Sequence, residues 1–214
     1  MILLTGFEPF DGAAENPSIL AARAAAGVLR AAGHDAEAVE LPCVFSRSGQ
    51  RLEEALERFR PDVVLCTGLA AGRGAVSLER AALNVIDARI PDNEGARPVD
   101  VPVVDGGPAA YFTRLPLKRT LAALRAAGIP AEVSQTAGTY VCNQVFYHLM
   151  HALESRTAAG DGPPAGGFVH VPAVDAADGG TGITVPLLAR ALEIAALEAL
   201  SGAPDVALAA GAEH

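Results

Sequence analysis

Short apolar runs alternate along the chain with stretches in which apolar residues recur every three or four positions, and Gly or Pro stands at most changes of pattern. Met1–Leu4 predicts a short buried strand closed at Gly6. Asn16-Pro17 then opens a helix, because Asn caps well and Pro fits a first turn whose N–H has no partner. That helix ends near Gly33, and Ala36–Leu41 alternates as a strand does. Leu52, Leu56 and Phe59 share one helical face, which stops at Pro61, and Val63–Cys66 follows as a buried strand. Leu117, Leu121 and Leu124 repeat the helical spacing between Pro116 and Gly128. Glu132–Gln135 predicts a strand, Phe146, Leu149 and Leu153 a helix, Phe168–Val171 a strand, and Leu188–Leu200 a closing helix.

Strands separated by helices of this length predict the α/β class: a single three-layer α/β/α sandwich around a mostly parallel central sheet. No internal repeat is visible. Residues 1–200 read as one domain and residues 201–214 as a flexible C-terminal tail. The Gly- and Pro-rich Ala158–Gly167 reads as a surface loop rather than a linker.

Composition narrows the function classes. Half of the 214 residues are apolar, enough for a sizeable core, and with Trp absent the packing falls to Leu, Val, Ile and Ala. A net charge of −9 argues against nucleic acid, which a protein binds through a basic face that displaces counterions. The three cysteines, Cys43, Cys66 and Cys142, form no paired framework and no Cys-x-x-Cys, so they read as reduced thiols. The N-terminus lacks the basic region of a signal peptide, and no apolar run is long enough for a membrane span. These features predict a cytoplasmic protein that binds no membrane.

Ligands of open parallel sheets gather at the carboxyl ends of strands. Four segments end strands in ways unlike plain packing: Thr5–Phe10, Gly68–Glu79, Gly138–Asn143 and Val169–Pro172. Cys142 stands between the turn Ala137-Gly138-Thr139 and an amphipathic helix. A thiol in a first helical turn faces unpaired N–H groups and the positive end of the dipole, which predicts a lowered pKa and a ready oxyanion site. Position alone leaves a second reading open, a buried and inert cysteine. Cys66 inside an apolar strand and Cys43 beside Pro42 and Val44 read as packing residues.

A nucleophilic thiol needs a general base, most often His. His34 sits in a polar turn, His214 is terminal, and His148 and His151 lie too far along the helix after Cys142 to reach its start. His170, in Val-His-Val-Pro at a strand end, is the candidate, with a hydrogen-bonded core histidine as the competing reading. Glu79 is a candidate to orient the imidazole, although most glutamates are merely solvated. The run Gly68-x-x-x-Gly72-x-Gly74 lacks the Lys-Ser/Thr ending of a phosphate loop.

Taken together, Leu-Thr-Gly-Phe-Glu-Pro-Phe10 with Asn16-Pro17-Ser18, Ser77–Asn84 leading into Asp87–Asn93, Gly107–Phe112, Ala137–Asn143 and Phe168–Pro172 resemble the pyroglutamyl peptidase I, or pyrrolidone-carboxylate peptidase, family. The resemblance runs from Met1 to about Pro172 with order and spacing kept. It implies a cysteine peptidase that hydrolyses the amide bond after an N-terminal pyroglutamyl residue of peptides, through a thioester, with Glu79, Cys142 and His170 as catalytic residues. By the same matching, Phe7, Phe10, Asn16, Arg89, Ile90, Tyr140 and Val141 form the substrate-binding set, with Arg89 near the developing oxyanion. It further implies a homotetramer and no metal or organic cofactor. The chain departs from the family pattern at Leu69, where many relatives have Gln, at Gln144, where a His is frequent, and in the loop after Pro172. Two other readings compete. One is an inactive binder of a small lactam-like ligand on the same scaffold. The other is a nucleoside phosphorylase-like enzyme, which would need an anion site and no thiol.

Overall fold

The computed structural model describes residues 1–158, 164–174 and 182–211. In chain order the elements are β1 (Ile2–Phe7), α1 (Pro17–Ala31), β2 (Ala36–Leu41), α2 (Phe45–Phe59), β3 (Val63–Leu69), β4 (Val76–Leu83), β5 (Ala110–Phe112), α3 (Leu117–Ala126), β6 (Ala131–Thr136), α4 (Val141–Ala158), β7 (Ala165–Val171) and α5 (Val185–Leu200).

The seven strands form one sheet in the order β2-β1-β3-β7-β4-β5, with β6 also paired to β4. The pairings β1–β2, β1–β3, β3–β7 and β4–β6 are parallel, whereas β4 runs antiparallel to β7 and β5. The mostly parallel sheet thus reverses at β4.

Side chains alternate across a strand, and here the alternation sorts them into two cores. Ile2 and Leu4, Val63 and Leu65, Val76 and Leu78, and Val169 and Val171 pack with residues of α1, α3 and α5. Leu3 and Phe7, Val64 and Cys66, and Phe168 pack on the opposite side with residues of α2 and α4. The result is the expected three layers.

Local chemistry explains most boundaries. The Asn16 side chain accepts a hydrogen bond from Ser18 N at 3.0 Å and caps α1. Val44 cannot cap α2, and Asp92 does so from a distant loop, accepting from Phe45 N at 2.8 Å. Gly6 does not close β1: the strand continues to Phe7, and glycine is needed there because a Cβ would meet the Ser18–Ile19 backbone of α1. The expected loop Ala158–Gly167 also gives way to β7 from Ala165 onward. Gly166 and Gly167 serve there as strand residues against which Leu153 and Leu115 pack, their nearest atoms 2.6 and 2.8 Å from where a Cβ would stand. The rest of that loop, 159–163, lies outside the described residues.

Residues 201–211 form neither helix nor strand. Within them the Asp205 carboxylate accepts from Lys118 N and Arg119 N, the open first turn of α3, and Arg119 donates back to the Ala203 carbonyl. His214 lies outside the described residues. Among the described residues no helix is long and apolar enough to cross a membrane.

Candidate active site

The same alternation that builds the two cores brings the candidate residues to one face. Glu79 follows Leu78 on β4, His170 follows Val169 on β7, and Gly68 lies two beyond Cys66 on β3, so all three face the α4 side. Register completes the placement: His170 pairs with Gly68 on one side and Ser77 on the other. The His170 Nδ1 lies 2.7 Å from Glu79 Oε1. An ionised carboxylate only accepts, so Nδ1 donates to it, and in the neutral imidazole that tautomer leaves the Nε2 lone pair open. Glu79 is fully buried and His170 is 4% exposed, and the Phe168 ring packs against the imidazole with centroids 4.9 Å apart.

Cys142 is the second residue of α4. Its sulfur lies over Gly68, where any Cβ would come within 2.7 Å of Sγ, so glycine is required beneath it. Because Gly68 is the register partner of His170, the sulfur lies over the strand next to the one that carries the imidazole. Buried amides on either side of the helix start fix its position. Asn143 donates to the Leu83 and Val85 carbonyls at 2.8 and 3.0 Å and accepts from Leu83 N at 2.9 Å. Gln144 donates to the Phe45 carbonyl at 2.8 Å and accepts from Ser48 Oγ at 3.2 Å.

The thiol does not have the lowered pKa expected of a helix start. Its residue keeps some surface open, yet the protein around the sulfur strips its hydration, and this burial raises the pKa. Cys43 and Glu79 push the same way, while Arg73 and the Cys142 N–H oppose them and are outweighed. The resting group is a neutral thiol that a base must deprotonate. Burial likewise pushes Cys43 up to about 11 and Cys66 up to about 12.

The segment carrying Arg89 and Ile90 is laced between the Phe7–Phe10 turn and the turn before Cys142. Asn93 donates to Glu8 Oε1 and to the Pro9 carbonyl, and Tyr140 donates its hydroxyl to the Pro91 carbonyl at 2.9 Å. Thr139 donates its hydroxyl to the Asp87 carbonyl at 2.8 Å. Phe7 and Val141 are buried, and Phe10, Tyr140 and Cys142 pack against the same apolar cluster. Arg89 is exposed, and the described residues offer its guanidinium no hydrogen-bond or ion-pair partner. Asn16 stands apart: buried, it accepts from Ser18 and donates to the Glu8 carbonyl, so its polar atoms brace the Phe7–Phe10 turn rather than standing open.

The model of the pyroglutamyl peptidase family matches residues 1–205. The pyrrolidone-carboxylate peptidase of Klebsiella pneumoniae is 46% identical over 217 residues, covering 100% of this chain and 99% of the relative. That of Clavibacter michiganensis is 48% identical over 98% of this chain and 97% of the relative. The crystal structure of Bacillus amyloliquefaciens pyroglutamyl peptidase I superposes with a TM-score of 0.85 at 39% identity, covering 96% of this chain and 98% of that one. The chain belongs to the pyroglutamyl peptidase family. It is a cysteine-type hydrolase with pyroglutamyl peptidase activity, and an inactive binder is not favoured.

Seen as a pyroglutamyl peptidase, the chain's departures from the family pattern acquire places. Leu69 ends β3 and is partly buried, and Gln144 holds α4 to α2. The loop after Pro172 lies outside the described residues from 175 to 181. The other histidines have separate surroundings: His151 bonds the Tyr111 hydroxyl at 2.8 Å, and burial lowers the pKa of His148, which packs over Gly49. Sequence reasoning passed over Arg73, which donates to Glu79 Oε1 at 2.6 Å. An arginine inside a glycine-rich turn one strand turn before a candidate carboxylate was the available signal. Among the described residues no group of three or more His, Cys, Asp or Glu could hold a metal ion.

Proposed function

We propose that Cys142 is the nucleophile of this pyroglutamyl peptidase, His170 its general acid and base, and Glu79 the residue that orients the imidazole. The observation that carries this reading is the buried Glu79–His170 hydrogen bond of 2.7 Å on the sheet face over which the Cys142 sulfur lies. His170 Nε2 takes the thiol proton as sulfur attacks the pyroglutamyl carbonyl. The open N–H groups at the start of α4 receive the oxyanion, and Arg89, whose guanidinium has no partner among the described residues, is the candidate cation to assist them. Collapse breaks the C–N bond, His170 protonates the departing amine, and water then hydrolyses the thioester with His170 again as base.

The substrates are peptides with an N-terminal pyroglutamate. Phe7, Phe10, Ile90, Tyr140 and Val141 suit a flat, uncharged lactam. A free α-amino group would enter such a wall charged and without a partner, which disfavours ordinary N-termini. Three free cysteines suit a reducing, cytoplasmic setting. Exposed Phe112, at 72%, with Val99 at 62%, suits burial between copies in a homotetramer.

Release of a fluorophore from a pyroglutamyl amide by wild type and Cys142→Ser, with a prolyl amide as control, tests the reading. Turnover by wild type alone, lost on alkylation and weak on the prolyl amide, supports it. Turnover retained by Cys142→Ser removes the nucleophile assignment.

A further inference from the structure

Two donors converge on one oxygen of Glu79. His170 Nδ1 lies at 2.7 Å and Arg73 NH1 at 2.6 Å from Oε1, while Oε2 accepts from none of the described residues. The carboxylate is fully buried, but the Arg73 side chain is 29% exposed. Arg73 comes from the turn between β3 and β4, where its N–H bonds the Ala70 carbonyl at 3.0 Å, and so reaches Glu79 from the solvent side.

We propose that Arg73 is a positioning residue that keeps the Glu79–His170 pair free of an extra proton, so that His170 remains a base down to lower pH. The inference rests on the Glu79–His170–Cys142 reading above. A buried carboxylate without a counter-charge draws a proton onto itself or onto the imidazole beside it. Either location removes the base, because a protonated carboxylate donates to Nδ1 and leaves the ring N–H on Nε2. The guanidinium supplies the counter-charge permanently, since arginine does not lose its proton. By sharing Oε1 it also weakens the hold of Glu79 on a protonated imidazole. Among the described residues, the other groups facing the pair leave this role to Arg73. Cys142 from α4 is a neutral thiol with Cys43 behind it, the β6 register partner of Glu79 is uncharged Ser134, and Glu132 is turned onto the Ser77 hydroxyl at 2.8 Å.

The test is the pH dependence of kcat/KM on a pyroglutamyl amide for wild type, Arg73→Gln, Arg73→Lys and Glu79→Gln, each checked for folding by thermal melting. Removing the charge should move the acid limb of Arg73→Gln upward by about one pH unit. Activity then falls roughly tenfold at the foot of that limb, and the deficit shrinks as pH rises. Arg73→Lys, which keeps the charge, should return the limb most of the way. An acid limb in Arg73→Gln that superposes on wild type, a loss equal at every pH, or a shift that lysine leaves unchanged overturns the inference. Full activity in Glu79→Gln is a different failure: it removes the orienting carboxylate of the parent reading, whereas a wild-type limb in Arg73→Gln beside an impaired Glu79→Gln removes only the role of Arg73.

Discussion

The two faces of the sheet are built from the same strands, yet they differ where the strands approach α4. Toward α1, α3 and α5 the alternation delivers Leu65, Val76, Leu78, Val169 and Val171, and the buried hydroxyl among these strand ends, on Thr67, is returned to the Thr5 and Ser18 carbonyls. Toward α2 and α4 the same strands deliver Cys66 and then Gly68, Ser77 and then Glu79, and Phe168 and then His170. The proposed site is thus made by exchanging apolar side chains for glycine, carboxylate and imidazole on one face, while the opposite face holds the backbone in register. The packing face and the chemistry face are one residue apart.

Neighbouring substitutions on β4 can break that comparison. Glu79→Gln should lower kcat by roughly a hundredfold or more with little change in melting temperature, because it removes a charge that orients the base. Leu78→Ala, one residue away and 0% exposed, should lose about 3 kcal/mol of unfolding free energy while the folded fraction keeps its kcat. Kinetics and denaturant unfolding on both variants check this, and an exchange of the two phenotypes would refute the division of labour.

Much of this was legible in the sequence because it is local. The cap at Asn16, the alternation of Ala36–Leu41 and the spacing of Leu117, Leu121 and Leu124 each announce their element within a few residues. The strands β4 and β5 were not anticipated. Val-Ser-Leu-Glu-Arg-Ala-Ala-Leu holds charges and alanines that become strand only through β6 and β7, both far along the chain. Cys142 and His170 were candidates by type and position, Glu79 a weak one among solvated glutamates, and the family resemblance marked all three. The Arg73–Glu79 contact and the role of Asn16 depend on how distant segments pack, and so does the raised thiol pKa: a helix start lowers it, but the surrounding burial decides the sign.

Two smaller effects sharpen the contrast on β3. Cys66→Ala removes one buried atom beside Gly68 and should destabilise by about 1 kcal/mol without loss of turnover, in contrast to Cys142→Ser. Burial pushes the folded Cys66 thiol up to about 12 from its ordinary 9.0, so the folded state holds that proton more tightly than the unfolded one. Its contribution to stability is therefore complete below about pH 9 and is lost as pH rises toward about 12. Melting temperatures across that alkaline range should fall less steeply in Cys66→Ala than in wild type, and parallel curves would contradict the assignment.

The most direct test of the central claim is labelling with a pyroglutamyl chloromethyl ketone followed by peptide mapping in a mass spectrometer. A single adduct on Cys142 is expected, formed in wild type and suppressed in His170→Ala, with Cys43 and Cys66 unlabelled. An adduct on Cys43 or Cys66 that abolishes turnover while Cys142 stays free would contradict it.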